Sequence, residues 1–144
     1  MSHYADRFKA YENVENLGGK AWEHAVICDL LEANPIIKDC TPHCTHYQQL
    51  LEMLIKHALE TKSAIGAYRK THHLTQLLAD LITYSEFKTD LERYYIALST
   101  ITMCAMEYRY DFQLQCHAYW QAVAISDGLI DELLAFVKGC TDSP

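Results

Sequence analysis

Residues 91–120, LERYYIALSTITMCAMEYRYDFQLQCHAYW, decide the fold. From Leu91 to Met106 apolar side chains fall on every side of a 3.6-residue wheel, among them Tyr94, Tyr95, Ile96, Leu98, Ile101, Met103, Cys104 and Met106. A helix that is apolar all round is a buried helix. A buried strand pair has some support in Ile96 and the Ser99–Thr102 run, but sixteen residues without Gly, Pro or Asn exceed an ordinary strand. Beyond Met106 the texture changes, because Glu107, Arg109, Asp111, Gln113, Gln115 and His117 set ionisable and amide groups among large apolar and aromatic side chains. Chemistry and core coincide only there.

Working back from this stretch, Thr89 or Asp90 is placed to cap it, and Thr71 to cap a helix whose inner face is Leu74, Leu77, Leu78, Leu81 and Ile82. The strongest amphipathic pattern is Tyr47, Leu50, Leu51, Leu54, Ile55 and Ala58, with Thr45 as its expected cap. A further stripe, Trp22 to Leu31, stops at Asn34-Pro35, since the residue before a proline avoids helical geometry. Tyr4, Phe8 and Tyr11 suit a short amphipathic helix, which the Asn16-Leu-Gly-Gly19 turn is expected to end. On the carboxyl side Ser126 is placed to cap a last helix that Gly139 would end, with Leu129, Ile130, Leu133, Leu134 and Val137 inward. The expectation is an all-α fold, a single compact multi-helix bundle of about six or seven helices over residues 1–144.

Composition narrows the function classes. Half the residues are hydrophobic and 22% are charged, as in ordinary globular chains. A net charge of −7 without a basic cluster argues against nucleic-acid binding, which rests on Lys and Arg neutralising phosphates. No segment approaches the roughly 18 uninterrupted apolar residues of a membrane span, and the amino terminus lacks a signal-peptide pattern, so a cytoplasmic location without membrane partners is expected. In that compartment the six cysteines should mostly be thiols. Cys40, His43, Cys44 and His46 crowd seven residues expected to form a loop. Four ligands so close cannot easily surround one tetrahedral ion, and C-x3-C is not the usual redox spacing. No metal and no cofactor is therefore assigned. His24, His46, His57, His72 and His73 read as surface or hydrogen-bonded residues.

Tyr110-Asp-Phe112, the helix ending Ala122-Val-Ala-Ile-Ser-Asp127, and Leu129-Ile-Asp-Glu-Leu133 resemble the carboxymuconolactone decarboxylase-like and alkylhydroperoxidase D-like superfamily, over roughly residues 88–137. Glu92 looks like the glutamate that opens the preceding helix in that family. The resemblance implies an all-helical fold and homo-oligomers. It also implies acid-base chemistry on a small organic acid or lactone, a lyase-like small-molecule substrate, with Glu92, Tyr110 and His117 as the catalytic candidates. Independently of the family, Tyr110 and His117 fall on one helical face, and a histidine beside Trp120 can act as a general base in a partly apolar pocket. Gln115 stands at the family's histidine position, and an amide is no base near neutral pH. The alternative is a non-enzymatic, self-associating interaction protein of the same fold. Sixteen aromatic residues, ten of them tyrosines, point to an interface as well as a core.

Overall fold

The structure is a computed structural model that describes residues 4–34, 39–106 and 116–141. It is all-α; among the described residues there is no strand. A single turn, α1 (Tyr4–Arg7), and a 3-10 turn (Lys9–Tyr11) lead into α2 (Leu17–Ala33). There follow α3 (Thr41–Lys62), α4 (Leu74–Tyr84), α5 (Leu91–Met106) and α6 (Cys116–Thr141). No helix among these residues is long and apolar enough to cross a membrane.

Helix α3 is the axis of the bundle, packing against α2, α4, α5 and α6. Its expected stripe, Tyr47, Leu50, Leu51, Leu54, Ile55 and Ala58, is fully buried, and each such leucine contributes about 1.5–3 kcal/mol by leaving water. The helix starts earlier than Thr45. Cys40 precedes its first turn and Pro42 sits inside that turn, where a missing N–H costs nothing. The cluster Cys40–His46 is therefore the start of a helix and not a loop, which points His43 and Cys44 into the core.

Two other boundaries depart from expectation, one because a serine bonds inward and one because an asparagine starts a helix in place of the expected turn. Ser126 does not cap a helix; α6 runs straight through it, and its hydroxyl donates to the Val123 carbonyl at 3.2 Å and meets Tyr47 Oη at 2.7 Å. Asn16 does not end a helix but caps α2, its side-chain oxygen accepting from Gly19 N–H at 3.0 Å. A Cβ on Gly19 would collide with the Val14 carbonyl, and one on Gly18 with the Tyr11 ring. The glycine pair thus lets the 3-10 turn lie across the start of α2.

Helix α5 has the expected bounds, and Asp90 accepts from Arg93 N–H at 3.2 Å as its cap. It is not buried all round. Tyr94, Ala97, Leu98, Ile101 and Cys104 enter the core, whereas Tyr95, Ile96, Met103 and Met106 face outward. Among the described residues α5 lies at the edge of the bundle and meets α3, α4 and α6 with its buried face.

Candidate functional site

The interior carries two linked polar clusters on α1, α2, α3 and α6. In the first, the buried His43 ring of α3 lies between Glu32 of α2 and Tyr119 of α6, with Nε2 2.7 Å from the carboxylate and Nδ1 2.5 Å from the phenol. Burial holds the Tyr119 phenol protonated, far above its ordinary value. When the Nε2–H donates to the Glu32 carboxylate, Nδ1 of the neutral ring is left to accept from the Tyr119 hydroxyl. Trp120 covers the imidazole, its ring centroid 4.5 Å away. In the second, Asp127 accepts from Tyr47 at 2.8 Å and from Tyr4 at 3.3 Å, with an Arg7 nitrogen at 4.0 Å. Desolvation raises the Asp127 carboxyl, and these donors offset only part of that. Asp29 accepts the N–H groups of Tyr4 and Ala5 at 2.9 and 2.8 Å, which ties α1 to α2. Each cluster has its buried polar atoms satisfied and is closed by aromatic rings. Tyr119 and Tyr47 are fully buried, and these bonds align α1, α2, α3 and α6 against one another.

The cysteines separate into two kinds. Cys40 and Cys116 form a disulfide that joins the start of α3 to the start of α6, which corrects the expectation of reduced thiols for this pair. Cys28, Cys44 and Cys104 are buried thiols. Cys28 is pushed up by burial, and Cys44 by its hydrogen bond to Cys104 and by burial, which leaves both unreactive. Asp39 with Cys40 and Cys116 forms the one trio among the described residues whose spacing would suit a metal ion. Its sulfurs are bonded to each other and are not thiolates, and Thr41 occupies the Asp39 carboxylate.

The sequence-nominated residues lie elsewhere. Glu92 is exposed in the first turn of α5 and His117 is exposed in the first turn of α6. The start of α5 lies against the later half of α6, where Thr89 and Tyr94 both donate to Glu132. His117 is fifteen residues before Glu132 on α6, about 22 Å along its axis, so Glu92 and His117 stand at opposite ends of the helix pair. Tyr110 lies outside the described residues, as do Glu107, Arg109, Asp111 and Gln115.

His46 and His57, expected to be solvated, are built into the structure, and His24 takes the hydrogen-bonded form of its expected roles. His24 and His46 face each other with their Nδ1 atoms 3.0 Å apart, and His57 is buried on α3. Burial first, and then neighbouring positive groups, hold all three below the ordinary 6.5. The unfolded chain takes up protons at these rings as pH falls through 6.5, while the folded chain does so only lower. Their contribution to stability is present above that value and is lost as pH falls through the folded values. Asp127, raised, acts in the opposite direction from 3.8 upward. The urea midpoint is expected to be lower at about pH 5.5 than at about pH 7.5 with an unchanged slope. A midpoint that stays level or rises on acidification would contradict it.

No family model, no curated protein and no solved structure matches the chain. The family resemblance over residues 88–137 rests on the sequence alone, and what the structure shares with it is an all-helical fold.

Proposed function

We propose that this protein is a non-enzymatic interaction protein that pairs with a second copy of itself through α5. The observation that carries this reading is the outer face of that helix. Ile96 is 77% and Tyr95 54% exposed, with Met103 and Met106 each at 41%, on a helix whose opposite face is core. Beside them runs a groove of about 330 Å³, lined by His73, just before α4, by Thr75 of α4, and by Tyr95, Ser99, Met103 and Met106. A two-fold contact needs a surface that fits itself, in which residue i meets j while j meets i. Large apolar groups lie on either side of the small Ser99, Tyr95 and Ile96 before it and Met103 and Met106 after. An antiparallel crossing at Ser99 sets Ile96 of each copy against the Met103 side of the other's groove.

Acid-base chemistry on a small organic acid or lactone, the lyase reading, would need Glu92 and His117 to reach one substrate, and their positions at opposite ends of the α5–α6 pair favour the interaction protein. A formed Cys40–Cys116 bridge favours an oxidising compartment over the cytoplasm, where glutathione keeps thiols reduced.

Light scattering coupled to size exclusion tests the pairing. At tens of micromolar the chain is expected to run at twice its 16.6 kDa monomer mass. Ile96→Glu, which places a carboxylate at the contact centre while touching no core residue, is expected to weaken pairing by at least ~30-fold, the scale of a lost interface anchor, with an unchanged circular dichroism spectrum. A wild-type monomer, or a dimer indifferent to Ile96→Glu, would sink the proposal.

A further inference from the structure

A cleft of about 590 Å³ opens on the side of the bundle formed by the amino-terminal turns and the last turns of α3 and α6. Arg7, Lys62 and Lys138 line it together with Tyr11, His57 and Thr61, and among the described residues no carboxylate belongs to its wall. That is unusual in a chain with 19 acidic and 12 basic side chains. One lysine in a last helical turn merely answers the helix dipole. Two, brought from helices distant in sequence to one cleft, concentrate positive charge where the rest of the surface is negative. Arg7 is already engaged by Asp131 at 2.8 Å, and Glu60 lies near enough to influence His57. Lys62 and Lys138 have no carboxylate within ion-pair distance among the described residues.

A second observation is independent of charge. His57 is only 5% exposed, and its Nδ1 is the one buried side-chain nitrogen or oxygen among the described residues without a hydrogen-bond partner. Buried polar atoms are nearly always paired. With no internal bond fixing its tautomer, this ring is able to offer an N–H to an incoming acceptor. Tyr11 stands edge-on to it, ring centroids 5.3 Å apart, so the inner wall is aromatic where the rim is cationic.

We infer that this cleft binds a small organic phosphate monoester, its dianion held by the Lys62 and Lys138 ammonium groups and the His57 ring N–H, and its organic body against Tyr11. Two ammoniums with no carboxylate partner among the described residues match a dianion better than a single carboxylate. The volume lies within the range of sites that enclose a whole small molecule, about 300–1,000 Å³, and exceeds what a bare phosphate fills.

The test is an NMR titration of the intact chain with phenyl phosphate, inorganic phosphate and phenol, following the His57 imidazole and Tyr11 ring signals. Phenyl phosphate is expected to shift both saturably with a Kd below about 1 mM, inorganic phosphate to shift His57 more weakly, and phenol to shift neither. The double variant Lys62→Ser/Lys138→Ser is expected to lose at least tenfold in affinity at an unchanged melting temperature, and raised salt to weaken wild-type binding. His57→Phe, which keeps a ring but no N–H, should weaken binding as well. Absence of a saturable shift with phenyl phosphate, equal affinity in the double-lysine variant, or phenol binding as well as its phosphate would each overturn the assignment. Inorganic phosphate binding as tightly as phenyl phosphate would overturn the organic body.

Discussion

Glu52→Ala is expected to cost about 3–5 kcal/mol of folding stability, because it strands a buried ammonium group. Glu52 is 1% exposed on α3, and its carboxylate accepts from Lys56 Nζ at 2.8 Å, from Gln48 Nε2 at 3.0 Å and from His72 Nδ1 at 2.9 Å. Three hydrogen-bond donors, together with the Lys56 charge, outweigh the desolvation that would otherwise raise this carboxyl, and it sits below the ordinary range. The same group anchors the α3–α4 connection, since Gln48 also donates to the His72 carbonyl at 3.0 Å. Alanine removes every acceptor at once and leaves Lys56, itself buried, with only the Tyr68 ring 5.1 Å away. Replacing the pair together, Glu52→Leu with Lys56→Met, is expected to restore most of the loss, because a packed apolar pair of similar volume has no charge to desolvate. Urea unfolding measures both. A single variant within about 0.5 kcal/mol of wild type would show that this cluster does not hold α3 to the connection.

The second large effect is redox-dependent. Reduction of Cys40–Cys116, or Cys40→Ser, is expected to lower stability by about 2–5 kcal/mol. The bridge closes a loop of sequence separation 76, for which the chain-entropy relation gives roughly 4.5 kcal/mol, an upper figure because denatured chains keep some structure. Cys40→Ser and Cys116→Ser should cost the same, and the double variant no more than either. Thiol titration of the denatured, unreduced chain should find four reactive groups among the six cysteines. Six would mean that the bridge does not form.

Periodicity made the fold legible where helices have one wet face. The stripes of α3 and α4 and the bounds of α5 follow from the spacing of leucines and tyrosines, and these elements pack as that spacing implies. It failed at α5's outer face, because a wheel cannot distinguish an apolar side chain that meets the core from one that meets solvent or another copy. Local capping rules failed at Ser126 for want of the third dimension: whether a serine caps or bonds inward depends on Tyr47, seventy-nine residues away. Of the polar clusters, the i, i+4 spacing of Gln48, Glu52 and Lys56 was visible in principle. Glu32 with His43 and Tyr119 was not, since nothing in one sequence marks three distant residues as neighbours. The cleft was equally hidden, its lysines standing seventy-six positions apart.

The bonds between Arg7 on α1 and Asp131 on α6 join residues 124 positions apart, and Tyr4 reaches Asp127 across 123. On a ribosome adding about 5–20 residues per second, that separation is a delay of roughly 6–25 s before the acceptors exist. During that interval Tyr4 and Phe8, both buried in the finished bundle, have no α6 to cover them. Tyr4 and Phe8 therefore gain their cover in two stages, first when Asp29 of α2 takes the Tyr4 and Ala5 N–H groups, and only much later when α6 closes over them.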